Sequence, residues 1–452
     1  MSGYKPYTKY KDSGVVWLGK IPDHWQLRRL KYVFKIQKRI AGELGHSVLS
    51  ITQRGIMKKD IESGAGQLAQ DYSKYQFIYP GEFAMNHMDL ITGYVDLSDF
   101  HGVISPDYRV FILSQEKSDK RYLLKILQHC YHQKIFYSFG QGVSQFGRWR
   151  LPAESFNNFI FPIPPSEEQF AMGRFLDYKV EQIDRFIRRK KQLLILLHER
   201  ILSAIQCNNG HHSLNENPFW PDINPNWKIE KSKRIFYEVS SKGWPEEELL
   251  AVTQNRGVLP KSLCAENFVM PTTGIDSQKL VEEGDFVISL RSFQGGIEYS
   301  NYRGIVSPAY TIIRLKPQYR NERTILFYKF LFKSKPFISL LNTAISGIRD
   351  GKNISWSEFS ELLIPVPDSD DLTFLPKMVN DYEKQKAIFS KEEKATSEYK
   401  YALIAEVVTG KIDVREYQLA KTLNAEETYE DIEDEISIAA EDEAEYETQE
   451  NG

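Results

Sequence analysis

Three groups of residues in this sequence have types and spacings that could do chemistry. Pro367-Asp368 followed by Glu392-Glu393-Lys394 offers the carboxylates and lysine with which a nuclease holds a divalent metal beside a phosphodiester. The second part falls inside a long helical pattern, so the pair reads as coincidence. His129, Cys130 and His132 could ligate a metal, but two histidines at i and i+3 with no further ligand nearby read as a helix surface. His211-His212, in a linker, reads the same way. The third group is a set of glycine-bearing loops rich in amide and guanidinium side chains.

The first loop holds Gln53 and Arg54 before Gly55, with Lys58 just beyond, and the second holds Gln141, Ser144, Gln145 and Arg148. Further along come Gln254, Asn255 and Arg256, then Arg291, Ser292 and Gln294, then Arg349, Lys352 and Asn353. Arginine pairs bidentately with guanine, asparagine and glutamine pair with adenine, and lysine and serine hold phosphate. Glycine lets the backbone come close to a ligand. The loops therefore suit contact with duplex DNA, as a group more than singly. No GxxxxGK[ST], GxSxG, HExxH or GxGxxG motif occurs, and no NPPF or DPPY element of adenine methylation. Neither a catalytic site nor a bound metal is expected.

The elements that would position these loops come in two copies. IPDHWQLRRLKYVF meets INPNWKIEKSKRIF, pairing Trp25 with Trp227 and Phe34 with Phe236. Gly55 pairs with Gly257, GEF at 81–83 with GDF at 284–286, and HGVISPDY at 101–108 with RGIVSPAY at 303–310. FIFPIPP at 159–165 pairs with LLIPVP at 362–367, and the offset stays at about 202 throughout. A period this long implies a duplicated domain rather than a solenoid. Each copy mixes short strands such as FVISL and YTIIRL with helical patterns such as YLLKILQHCYHQKIF and TILFYKFLFKSKPFISLL. Each ends at a proline-rich stop, Pro162 to Pro165 and Pro365 to Pro367.

After each stop a long helix is expected. Ser166 and Gln169 form a capping-box pattern. Leu176, Ile183, Leu197 and Ala204 follow one seven-residue series, interrupted by Lys190, and Val180, Ile187, Leu194 and Ile201 follow the other. Met378, Tyr382, Phe389, Tyr399 and Leu403 repeat the pattern in the second copy, with Gln385 and Thr396 as exceptions. Such a seam pairs helices as a coiled coil. The plan is mixed α/β: a first domain at 1–165, a spacer helix at 166–210, a second domain at 211–368, a second spacer helix at 369–416, and a tail at 417–452. Strong divergence between the middles of the copies implies an asymmetric two-part target.

The chain's net charge is −3, and thirteen acids after Asn424 account for it; without them the body carries +10, which suits a polyanion. The acidic tail has the composition of a disordered segment. Cys130, Cys207 and Cys264 are far apart and form no disulfide framework or zinc pair. With no signal peptide and no apolar stretch long enough to span a membrane, a cytoplasmic bacterial or archaeal protein is expected.

YKDSGVVWLGKIPDHWQLRRLKYVF at 10–34 and YKYALIAEVVTGKIDVRE at 399–416 closely resemble the specificity subunit of type I restriction-modification enzymes, as does the repeat plan up to about residue 416. The resemblance implies two target recognition domains, each reading one part of a split DNA site, and two helices packed as an antiparallel coiled coil that fixes the gap. It implies two methyltransferase subunits carrying S-adenosylmethionine and two motor-nuclease subunits using ATP and Mg, with no cofactor on this chain. The first copy departs from the second in ending ILSAIQCNNG where the second has LIAEVVTGKI. The competing readings are a protein-binding coiled-coil adaptor, which predicts no salt-dependent duplex binding, and a fused enzyme, which requires a cofactor or metal motif.

Overall fold

A computed structural model describes residues 4–61, 69, 71–114, 117–142, 149–206, 219–220, 223–224, 226–253, 256–264, 274–289, 296–344 and 354–417. The acidic tail and Cys207 lie outside them. The chain is mixed α/β and divides into two compact units, residues 1–188 with 390–452, and residues 189–389.

In the first unit a four-stranded antiparallel sheet runs in the order Phe34–Gln37, Arg109–Leu113, Phe83–Met85, Val95–Leu97. Strand residues alternate between faces, and here both faces are covered. Phe83, Met85 and Phe111 enter the main core with Trp25, Tyr122 and Phe156, whereas Ala84 and Val110 face a smaller core with Leu49, Ile51, Ile56, Ile78 and Ile104. The rings of Phe34, Phe83 and Phe111 lie 5.0–5.4 Å apart. Helix Lys120–His132 is started by Asp119, whose carboxylate accepts the Arg121 and Tyr122 backbone N–H groups.

The second unit has a four-stranded sheet in the order Phe236–Val239, Thr311–Leu315, Phe286–Ile288, Ile297–Tyr299. Its faces divide in the same way, with Phe286, Ile288 and Ile313 in a large core and Val287 and Ile312 in a small one. In both units a fully buried tyrosine donates its hydroxyl hydrogen to a proline carbonyl at 3.0 Å, Tyr122 to Pro162 and Tyr328 to Pro365.

Those prolines sit in strands. Ile160–Ile163 pairs with Gln26–Arg29, and Leu363–Val366 pairs with Lys228–Lys231. The segments expected to act as stops instead join the end of each domain to a strand near its start; two-stranded edges tolerate proline. The pattern TILFYKFLFKSKPFISLL becomes two helices, Glu322–Leu331 and Lys335–Ala344, because Pro336 has no N–H to continue the first. The Ser166–Gln169 capping box does not form. The helix starts on Pro165, whose carbonyl accepts the Gln169 N–H at 3.0 Å, and the Gln169 amide instead bridges the Pro164 carbonyl and the Asp119 N–H.

The long helices are Ser166–Gln206 and Leu375–Val408. In the first unit Leu176 and Ile183 are buried with Tyr399 and Leu403, and Val180 and Ile187 pack against the same cluster. Lys400 there donates to Asp184 at 2.8 Å. In the second unit Ile201 is buried, and Met378 and Tyr382 pack on the same core. Phe389 is buried, while Leu194 and Leu197 are half-buried. The apolar stripe is wider than a two-position seam: Met172, Phe175 and Phe186 are buried too, and the first two join the core with Trp25 and Tyr122. Each helix half is thus also part of its unit's core.

Glu168 joins the ends of the first unit. Its buried carboxylate accepts from the Tyr7 hydroxyl at 3.1 Å, from Trp25 Nε1 at 3.0 Å and from His24 Nε2 at 2.6 Å, and Arg415 lies 3.8 Å away. Gly410, at φ +76°, packs so closely that a Cβ would lie 2.4 Å from Pro22 Cδ. The segments 10–34 and 399–416, far apart in sequence, therefore meet. Glu168→Ala strands two buried donors and is expected to cost about 2–4 kcal/mol. Glu168→Gln, which keeps an acceptor, is expected to cost less; equal melting of wild type and Glu168→Ala would contradict this role.

Candidate nucleic-acid interface

Gln53 and Arg54 form the two-residue turn of a hairpin, Leu49–Thr52 with Gly55–Lys58, in which Thr52 opposes Gly55. The residue after the turn, Gly55, takes the left-handed position at φ +103°, as in a turn that ends in a glycine bulge. Thr52 Oγ1 donates to the Gly55 carbonyl and accepts the Arg54 N–H, both at 3.0 Å. Asp96, on the sheet's edge strand, accepts the Ile56 N–H at 2.9 Å, and a Cβ on residue 55 would lie 2.3 Å from its Oδ2. Gln53 Nε2 donates to the Thr92 carbonyl at 2.5 Å, so this amide anchors the turn to its own domain. Arg54 is exposed and has no side-chain partner among the described residues. The ammonium of Lys58 lies over the Phe100 ring at 5.5 Å.

Behind the turn is a cleft of about 510 Å³ lined by Gln53, Arg54 and Asp96, by Lys125, Gln128 and His132 of helix Lys120–His132, by Lys134, and by Asp184, Lys400 and Tyr401 of the long helices. Its cations were not legible in sequence, because Lys125, Lys134 and Lys400 sit in helical patterns and only folding brings them together. Burial pushes the Lys125 ammonium down and the Asp96 carboxyl up from their usual ranges.

Of the other candidates, Gln141 is exposed and forms an antiparallel bridge with Arg150. In the second unit Leu250–Thr253 pairs with Gly257–Pro260; Arg256 is exposed, and its guanidinium donates to the Leu263 carbonyl at 3.2 Å. Ser144, Gln145, Arg148, Gln254, Asn255, Arg291, Ser292, Gln294, Arg349, Lys352 and Asn353 lie outside the described residues. The His129-Cys130-His132 group makes no ligand set: His129 and Cys130 are buried in the core, and His132 stacks on Tyr401 with ring centroids 3.6 Å apart. Among the described residues no cluster could hold a metal, and no helix is long and apolar enough to cross a membrane.

Residues 22–196 match the family model described as the type I restriction modification DNA specificity domain. That match takes in the first described sheet, the Gln53-Arg54 hairpin and the first part of the first long helix. Over those residues the match points to sequence-specific DNA recognition within a type I restriction-modification system. One similar solved chain comes from work on complex assembly and conformational transition of the type I R-M system, with 13% identity, a TM-score of 0.56, 87% of this chain and 99% of that one. The HsdS subunit of Thermoanaerobacter tengcongensis is 15% identical with a TM-score of 0.38, over 89% of this chain and 100% of that one. The type I S subunit from M. genitalium is 13% identical with a TM-score of 0.37, over 85% and 96%. A comparison with curated proteins finds no match.

Burial holds the specificity domain's His129 imidazole neutral, pushing its pKa down to about 4. The unfolded chain takes up that proton near 6.5, so this contribution to stability is full above pH 6.5 and is lost as the pH falls toward 4. At pH 5 the loss from His129 is about 2 kcal/mol. His129→Phe is expected to shrink the drop in melting temperature between pH 7 and pH 5; an unchanged drop would contradict the assignment.

Proposed function

We propose that the chain reads a bipartite, asymmetric duplex site, with one target recognition domain in each unit and the two long helices packed antiparallel to set the gap between half-sites. The observation that carries this reading is the recurrence of the sheet and its hairpin in the second unit, strand for strand, at offsets of 201 to 203 residues. The cross-helix contacts support the antiparallel part. The start of the first long helix packs with the end of the second in one unit, and the end of the first packs with the start of the second in the other. Base contacts come from the glycine-bearing loops. Methyltransferase subunits, two per chain, bring S-adenosylmethionine for adenine methylation, and two motor-nuclease subunits bring ATP and Mg. The match of the fold to a chain from a type I assembly supports such partners.

Selection of random duplexes on the full chain tests the reading. Two short motifs separated by a fixed unread gap are expected, with affinity falling steeply as salt rises. Exchanging residues 36–150 with those of a relative is expected to change one motif only, and inserting residues within 185–195 to change the gap. A single continuous motif, or no salt-dependent binding, would sink the reading and favour a protein-binding adaptor.

A further inference from the structure

We infer that the cleft of the first unit is a seat for the DNA sugar-phosphate backbone, with Lys134 and Arg54 supplying the charge. This inference rests on the DNA reading above and adds residues and a class of contact that the loops alone do not indicate.

The charges around the cleft are not equivalent. Lys400 is neutralised by Asp184 at 2.8 Å. Lys125 is largely buried, with Asp96, Asp177 and Asp184 nearby to offset it. Burial and the nearby Lys400 push His132 down from its usual pKa, which disfavours its charged form. Arg54 and Lys134 remain: both are exposed, both line the cleft, and neither side chain has a partner among the described residues.

The backbone of Lys134 gives an independent indication. It is the one described non-glycine residue with a positive φ, +54°. It follows helix Lys120–His132, where its N–H bonds to the Tyr131 carbonyl at 2.9 Å. A left-handed residue just past a helix end is most often glycine, because a Cβ there is strained. Strained non-glycine residues cluster at functional sites. The left-handed backbone places the Lys134 ammonium, without a partner among the described residues, at the cleft, and Arg54 lines the same cleft from a turn held by Gly55, Asp96 and Gln53. Two cations lining one cleft, without carboxylate partners among the described residues, suit phosphate oxygens. Because phosphates are the same at every base pair, these contacts set position without reading sequence.

The test measures binding of the full chain to its selected duplex and to an unrelated duplex across a salt series. Each phosphate neutralised contributes about 0.9 to the slope of log affinity against log salt. Lys134→Gly is expected to lower that slope by about this much and to weaken both duplexes by a similar factor, with base preference unchanged. Lys134→Arg is expected to retain the slope. Glycine suits the left-handed backbone, so Lys134→Gly should melt at or above the wild-type temperature, which separates lost contact from misfolding. Arg54→Ala is expected to act like Lys134→Gly; a changed base preference would make Arg54 a base reader and remove it from the seat. A Lys134→Gly slope equal to wild type would overturn the inference even with sequence reading intact, whereas a wild type that binds no duplex would overturn the DNA reading beneath it. Stabilisation of wild type but not Lys134→Gly by inorganic phosphate at matched ionic strength, with unchanged DNA slopes, would assign the cleft to a small anion and also overturn it.

Discussion

The buried carboxylate of Glu168 is the interaction on which the first unit's closure depends. It stands at the start of the first long helix and takes donors from Tyr7, His24 and Trp25, with Arg415 close by from the far end of the chain. A buried carboxylate is costly unless each lone pair is used and a counter-charge is near. Here both conditions are met by residues from three separate segments. The charge therefore ties the chain's first strands, the root of the helix and the returning end of the second helix into one core.

That closure has a consequence for the recognition surface. The lower wall of the cleft comes from the two long helices, through Asp184, Lys400 and Tyr401, and the upper wall comes from the domain's hairpin and helix. Both walls belong to the unit closed by Glu168. A shift of the helix pair against the domain would change the cleft's shape and charge together. The Lys400–Asp184 pair ties the two long helices to each other on this side, and the His132–Tyr401 stack ties them to the domain.

Each four-stranded sheet is covered on both faces, which explains how short strands suffice. Strands of three to five residues bury alternate side chains in two cores, aromatic on the helical side and aliphatic on the hairpin side. The hairpin carrying Gln53 and Arg54 is thereby packed by its stem, through Leu49, Ile51 and Ile56, with its turn exposed. A rigid stem with an exposed polar turn positions donors at low entropic cost on binding.

The sequence by itself determined what depends on residue type and spacing. The two copies, the long helical patterns, the absence of catalytic motifs and the place of the Gln53-Arg54 turn before Gly55 were legible, because glycine, proline and apolar periodicity constrain the backbone locally. The tertiary structure decided what depends on distant partners. Pro162 and Pro365 became strand residues because Leu27 and Ile229 lie opposite them. Gln169 gave up its capping role because Asp119 and Pro164 came within reach. Gln53 became an anchor because Thr92 was beside it, and Lys125, Lys134 and Lys400 became neighbours around one cleft. Local sequence fixes which conformations a segment can adopt, whereas the choice of hydrogen-bond partner and the sharing of charge are set only once the chain has brought its distant parts together.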